Sequence, residues 1–345
     1  MELQDLKVCI LSSYGSAPSN LTNKLESLGV RDTEVFINYS ELVKFLSTYE
    51  GTCLLFDLLG NENLRFNIDL DYFVSQATPF RLAQALRWDS NNEIRPIVEI
   101  DSDFRIISEE VSPENEVIDG LIRLPLYFFD SKEFLRHISS EGIDFKDENW
   151  IGLPLAFPRK ELSYSNKTPA LFLDRDGVIN IDKGYVYKYE EIIYIEEIFP
   201  IIKMFNDKKW PVFVLTNQSG IGQGKYQEAD VHKLHTKMIE DFTKKDIKIE
   251  EWQYSPYHFD KGIREYKRLS FTRKPGSGMA LKILEDYPID IERSFMIGDK
   301  KTDQILLPGI TTLLIKGNYD IEGSNSLVFN SIGEIHNYLE EQIKN

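Results

Sequence analysis

Cysteine is scarce in this chain of 345 residues: there are two, Cys9 and Cys53. Two thiols cannot build a disulfide framework or a four-cysteine zinc site, so they read as buried thiols of a cytosolic protein. Long apolar runs are missing as well. None approaches the roughly 18 residues of a membrane span. Nor is there a basic block. The chain carries 40 Lys or Arg against 56 Asp or Glu, a formal net charge of −16. Sequence-independent binding of nucleic acid needs Lys and Arg against phosphate, so that class is excluded. Met1-Glu2-Leu3-Gln4-Asp5 is acidic where a signal peptide is basic, which argues against export. Repeats and low-complexity segments are absent too. What remains is a cytoplasmic globular protein with neither nucleic acid nor membrane as partner. Its 42% hydrophobic content is too high for a disordered chain.

At about 150 residues per domain, the length suggests two domains. Charge divides them unevenly. Residues 1–150 hold 13 Lys or Arg and 27 Asp or Glu, net −14; residues 151–345 hold the remaining 27 and 29, net −2. The second half therefore has cations to spare for an anionic ligand. Between the halves lies a stretch with Pro154 and Pro158 and a polar tail, Lys160 to Lys167. It reads as a linker over 151–167, joining a domain over 1–150 to another over 168–345.

The first half alternates strand and helix patterns. Strands are expected at Lys7–Leu11, Glu34–Asn38, Thr52–Phe56, Pro96–Ile100 and Leu121–Leu124. Helices are expected at Ser19–Leu28, Ser40–Tyr49, Thr78–Leu86 and Ser131–Ile138. Such alternation implies a doubly wound parallel sheet. With Leu54-Leu55-Phe56-Asp57-Leu58-Leu59-Gly60, and Gly120 to Pro125 before a final helix, this half resembles a response-regulator receiver in outline. The resemblance would make Asp57 a phosphoacceptor. Ser12-Ser13-Tyr14, however, stand where a receiver has its magnesium-binding acids, and Arg123 replaces the usual lysine. The expectation is an unphosphorylated strand-end aspartate on an α/β domain whose protein partner is unknown.

The second half carries the chemistry. Pro169–Leu173 is an apolar strand running into Asp174-Arg175-Asp176-Gly177. In open α/β sheets ligands bind at the carboxyl ends of strands. Two carboxylates two residues apart there converge on one point. One can attack phosphorus while the other moves a proton. A second strand, Pro211–Leu215, ends in Thr216-Asn217-Gln218-Ser219-Gly220, polar groups suited to phosphoryl oxygens. Glycines 220, 222 and 224 do not fit a dinucleotide fingerprint. Then come Arg273-Lys274-Pro275 and a third strand, Ser294–Ile297, before Gly298-Asp299-Lys300-Lys301-Thr302-Asp303.

Four such pieces in this order resemble the haloacid dehalogenase (HAD) superfamily of phosphatases. The match spans about residues 168–340. Within the superfamily the chain is most similar to the branch containing histidinol-phosphate phosphatase and D-glycero-D-manno-heptose 1,7-bisphosphate phosphatase. Gln218-Ser219-Gly220-Ile221 and Gly298-Asp299-Lys300 favour the heptose side. With the alternating first half, the expected fold is an α/β chain of two doubly wound parallel-sheet domains, and the resemblance implies that the second is a HAD-like Rossmannoid fold without a large cap. It implies Asp174 as the nucleophile that becomes an aspartyl-phosphate, and Asp176 as general acid and then base. Asp174, the Asp176 carbonyl and Asp299 would hold Mg²⁺. Thr216, Asn217 and Lys274 would bind the phosphoryl group. Arg175, Ser219 and Arg273 would contact substrate. Lys300 would stand behind them with Asp303, which supports either the metal or Lys274.

Relatives in this branch often carry a zinc loop with Cys-x-His and Cys-x-Cys ligands. The corresponding positions are Ser255, Tyr257, Ser270 and Thr272, none a good zinc ligand, so no zinc is expected. Packing of Tyr254, Tyr257, Phe259, Tyr266 and Phe271 would hold the loop instead, with His258 in a loop or surface role. Arg264, Lys267 and Arg268 are either a solvated face or contacts to a second anionic group. His232 and His235 have helical spacing, as a surface helix or as a metal pair. Asp101-Ser102-Asp103 matches a glycosyltransferase metal motif without a nucleotide-sugar signature. The expected activity is Mg²⁺-dependent hydrolysis of a small phosphorylated metabolite, a sugar phosphate in particular. The rivals are a histidinol-phosphate phosphatase and a signalling or scaffold protein with a vestigial phosphatase fold.

Overall fold

The computed structural model describes residues 6–59, 70–77, 82–89, 96–100, 104–111, 120–139, 142–144, 150–155, 167–317 and 319–344. The motif at 101–103 and most of the expected linker lie outside them. The chain divides into two compact units, Met1–Glu161 and Leu162–Asn345.

The first unit opens with β1 (Lys7–Leu11), α1 (Ser19–Ser27), β2 (Thr33–Phe36), α2 (Tyr39–Leu46) and β3 (Thr52–Asp57). Helix α1 buries Leu21 and Leu25, and α2 buries Leu42 and Leu46. The Asn38 side chain caps α2 by accepting from the Glu41 N–H at 3.0 Å. Cys9 and Cys53 are free, buried thiols on the β1 and β3 strands.

Beyond β3 the expectations need correction. Helix α3 covers Leu70–Ala77, and of the helix expected at 78–86 the described part, 82–86, lies in strand β4 (Leu82–Asp89), while 78–81 lie outside the described residues. Residues 82–86 are all buried. An apolar run buried on both faces has no alternation to separate strand from helix. β5 (Pro96–Ile100) pairs with a strand the periodicity does not reveal, β6 (Ile106–Val111). β7 (Gly120–Asp130) is longer than expected. The helix after it, α4 (Ser131–Phe134), is a single turn capped by the Asp130 side chain. A short hairpin, β8 (Ile138–Ser139) and β9 (Gly142–Ile143), follows. Residues 151–155, read as linker, form β10 (Ile151–Leu155), which is buried throughout. It sits at the sheet edge, where Pro154 costs no ladder hydrogen bond.

The sheet order is β10-β4-β7-β3-β1-β2. The β2-β1-β3 part is parallel and follows the order of a receiver. β7 then runs antiparallel to both β3 and β4, so the sheet is mixed and departs there from a receiver.

The second unit comprises β11 (Leu171–Leu173), α5 (Ile198–Asp207), β12 (Val212–Asn217), α6 (Ser219–Gly222), α7 (Glu228–Lys244), β13 (Glu251–Ser255), α8 (Gly278–Leu284), β14 (Phe295–Gly298), β15 (Thr311–Ile315), β16 (Leu327–Phe329) and α9 (Ile332–Gln342). Every pair in its sheet is parallel, in the order β13-β12-β11-β14-β15-β16. Ile198, Ile201, Ile202 and Phe205 give α5 one apolar face, which packs into the core with Val212, Val214 and Ile297. The order places β12, β11 and β14 side by side, so the three motif-bearing strand ends are neighbours. Among the described residues no helix is long and apolar enough to cross a membrane.

Candidate active site

Asp174 follows the last residue of β11, and its N–H donates to the Ile297 carbonyl at 2.9 Å, locking it beside β14. The carboxylate is buried. Its Oδ1 accepts from the Arg175 N–H at 2.7 Å and lies 2.9 Å from Lys274 Nζ. Both of these contacts fall on Oδ1. Asp299, just past β14, faces Asp174. Gly177, at φ +96°, lets the backbone pass beneath: a Cβ there would lie 2.1 Å from Asp299 Oδ2. Asp299 Oδ1 is buried without a hydrogen-bond partner. Burial pushes Asp299 up to about 7 and Asp174 up to about 6, because two adjacent carboxylates have little solvent to stabilise their charge.

Lys274 is the buried cation of this cluster. Its Nζ bridges Asp174 Oδ1 and Asp303 Oδ1, the latter at 2.6 Å, and the two carboxylates raise its pKa against the opposing effect of burial. Asn217, at the end of β12, pins the Lys274 backbone from both sides. Its Oδ1 accepts from Lys274 N–H at 3.0 Å, and its Nδ2 donates to Lys274 O at 3.1 Å. Asp303 Oδ2 accepts the N–H groups of Asp299 and Lys300, each at 3.0 Å. Of the two supports open to Asp303, the geometry shows the one for Lys274. Carboxylate oxygens of Asp174, Asp299 and Asp303 lie within 4.8 Å of one another, an arrangement that can hold a cation. Both Asp303 oxygens are already engaged, which leaves Asp174 and Asp299 as the open donors.

The Asp176 carboxylate is held by three side chains. Arg175 Nη2 donates to it at 2.8 Å, Asn180 Nδ2 at 2.9 Å and Gln218 Nε2 at 3.0 Å. Arg175 requires a correction. Expected to touch substrate, it is 0% exposed. Its guanidinium is used up on Asp176, the Val186 carbonyl at 2.7 Å and His235 Nε2 at 3.3 Å. His235 is likewise no surface residue. It is buried, and facing a guanidinium it accepts through Nε2 and stays neutral, its pKa driven well down by burial and then by Arg175. His232 bonds Tyr254 at 3.1 Å instead, so the two histidines do not converge.

Thr216 is buried, and its Oγ1 accepts from Gln218 Nε2 at 2.9 Å. Tyr226 fixes Gln218 in turn, its hydroxyl donating to Oε1 at 2.7 Å. Ser219 is half-buried and accepts from Gln223. Arg273 is half-buried, with Nη1 donating to the Tyr257 carbonyl at 3.1 Å. Gln218 stood in the segment read as polar groups for phosphoryl oxygens, whereas Tyr226, Asn180 and His235 were not legible as site residues. Asn180 alone had a signal, standing four residues past Asp176 in the same turn.

The loop at the zinc-ligand positions is closed by hydroxyls. Thr272 Oγ1 lies 3.1 Å from Ser255 Oγ and 2.7 Å from Ser270 Oγ. Glu228 accepts from the hydroxyls of Tyr254 and Tyr266 at 2.7 and 2.9 Å. Phe259, expected to pack, is 61% exposed. His258 caps its own turn, Nδ1 accepting from the Asp260 and Lys261 N–H groups.

Buried carboxylates past adjacent strand ends of a parallel sheet, bridged by a buried lysine from the loop before α8, define the class, an α/β enzyme of phosphoryl transfer. No protein-family model matches the chain. The D-glycero-alpha-D-manno-heptose-1,7-bisphosphate 7-phosphatase of Campylobacter jejuni is 40% identical over 178 residues, covering 51% of this chain and 98% of that protein. The D-glycero-beta-D-manno-heptose-1,7-bisphosphate 7-phosphatase of Vibrio cholerae is 34% identical over 178 residues, 50% of this chain and 96% of that protein. A solved D,D-heptose 1.7-bisphosphate phosphatase from B. bronchiseptica, complexed with magnesium and phosphate, is 24% identical. It covers 51% of this chain and 99% of its own, with a TM-score of 0.43. The chain belongs to the heptose-bisphosphate phosphatase family of the HAD superfamily, and it is a phosphoric monoester hydrolase.

Proposed function

We propose that the chain hydrolyses a phosphate ester of a sugar, a heptose 1,7-bisphosphate in the first place, through an aspartyl-phosphate on Asp174. The observation that carries this reading is the pairing of buried Asp174 with Lys274 Nζ at 2.9 Å, beside an unpartnered Asp299 oxygen. Asp174 Oδ2 attacks phosphorus and the bond to the sugar oxygen breaks. Asp176 gives that oxygen its proton. Asp176, now a carboxylate, takes a proton from water as the water oxygen attacks phosphorus. The bond to Asp174 breaks and inorganic phosphate leaves. Lys274 offsets charge on the phosphoryl oxygens, with Thr216 at the neighbouring strand end.

An all-oxygen donor set with one orphaned carboxylate oxygen fits Mg²⁺, held by Asp174, Asp299 and the Asp176 carbonyl. When bound, the ion would neutralise charge that otherwise gathers between carboxylates and phosphoryl oxygens. The cytoplasm, where phosphorylated sugars occur, is the expected setting.

The test is phosphate release by the full chain from a panel holding both anomers of heptose 1,7-bisphosphate, other sugar phosphates and histidinol phosphate. The highest kcat/KM is expected for a heptose 1,7-bisphosphate. A preference for histidinol phosphate would overturn the substrate class. No turnover of any phosphate ester would overturn the catalytic reading.

A further inference from the structure

Lys300 follows Asp299 directly, yet its ammonium turns to other partners. Nζ donates to Asp182 Oδ2 at 2.9 Å and lies 4.6 Å from the centre of the Tyr319 ring. The Tyr319 hydroxyl donates to the same Asp182 oxygen at 2.7 Å. The other Asp182 oxygen accepts from the Gly184 N–H at 2.8 Å, so the carboxylate is fixed by its own turn. Asp299 Oδ1 is 3.7 Å from Lys300 Nζ, outside hydrogen-bond reach, and it is the buried oxygen without a partner. A movement of about 1 Å would bring the ammonium into a charge-assisted bond with it. The ammonium and a divalent cation compete for that oxygen, and what holds the ammonium back decides which one has it.

We propose that Asp182 and Tyr319 tether Lys300 away from Asp299 and so keep Asp299 Oδ1 open to a divalent cation. This rests on the cation site proposed above. Asp182 and Tyr319 come from the turn after Asn180 and from the segment after β15, both outside the carboxylate cluster. They are positioning residues that act through Lys300.

The experiment titrates Mn²⁺ into the metal-free full chain and reads free Mn²⁺ by electron paramagnetic resonance, with no turnover involved. Asp182→Asn should weaken Mn²⁺ binding about tenfold, one charge-assisted contact being worth that much. Tyr319→Leu changes no charge and lies at the surface. It should weaken binding about threefold, the scale of one exposed cation–π contact. Lys300→Met should abolish both effects: Asp182→Asn in that background should bind Mn²⁺ as Lys300→Met alone does. An Asp182→Asn loss of the same size with and without Lys300 would show simple through-space charge and overturn the tether. So would unchanged binding in both Asp182→Asn and Tyr319→Leu. Wild-type binding that survives Asp299→Asn would instead overturn the cation site itself, so the two failures are distinguishable.

Discussion

Ser255 Oγ lies 3.1 Å from Thr272 Oγ1, and these two residues stand at positions that the family resemblance matches to zinc-binding cysteines. With Ser270 they join both ends of the loop by hydroxyl hydrogen bonds. Such a closure needs no metal. The purified protein should carry no stoichiometric zinc and should keep its Tm in EDTA at neutral pH apart from any loss traceable to magnesium. Thr272→Val should lower Tm by a few degrees, two hydroxyl contacts being worth about 1–2 kcal/mol. Elemental analysis finding one tightly held zinc per chain would contradict this.

The contact between Arg175 and His235 predicts a kinetic effect at a distance. His235→Leu removes the acceptor that steadies Arg175, and Asp176 is then less well placed. We expect kcat to fall about tenfold with KM little changed, while His235→Gln, which can still accept, recovers most of it. Steady-state kinetics on the best substrate decide. Wild-type kcat in His235→Leu would show that Arg175 needs no such support.

The raised pKa values of Asp174 and Asp299 make stability depend on pH. Both folded values, about 6 and about 7, stand above the roughly 3.9 of an unfolded aspartate. The folded, metal-free chain therefore holds more protons in this window. Their stabilising contribution is complete below about pH 4 and is lost as pH rises through 6 to 7. A cation takes the place of those protons. Magnesium should raise Tm more at pH 8 than at pH 5, as read by calorimetry in EDTA and in excess MgCl₂. An equal shift at both pH values would rule out this origin.

Asp57 in the first unit should not accept a phosphoryl group. Its Oδ2 takes the Tyr39 hydroxyl and its Oδ1 the Leu59 N–H, while Ser12 fills a place where a receiver carries an acid. Incubation of the full chain with beryllofluoride and Mg²⁺ should leave this unit unchanged. A saturable spectral change that disappears in Asp57→Ala would reveal a working receiver.

The second unit was legible because its strands β11, β12 and β14 are short and apolar and run at once into polar or charged residues. Asp174, Asp299 and Lys274 converge as their motifs suggested. What surrounds them was not legible. Arg175 lies next to two candidate carboxylates, and nothing local shows whether its guanidinium faces substrate or core; that depends on His235, 60 residues away in sequence. The same limit applies to the first unit. β4 is buried on both faces over 82–86, β7 reverses the chain direction, and β10 completes the sheet from beyond an acidic stretch. Each is a non-local pairing that a reading of neighbouring residues does not contain.

The central claim is that Asp174 carries the phosphoryl group. Its most direct test is rapid acid quench during turnover of substrate labelled with radioactive phosphorus, followed by peptide mapping. The account predicts a hydroxylamine-sensitive label on the peptide containing Asp174, absent from Asp174→Asn, a variant that should remain folded and lose turnover. A label on another residue, or wild-type turnover by Asp174→Asn, would contradict it.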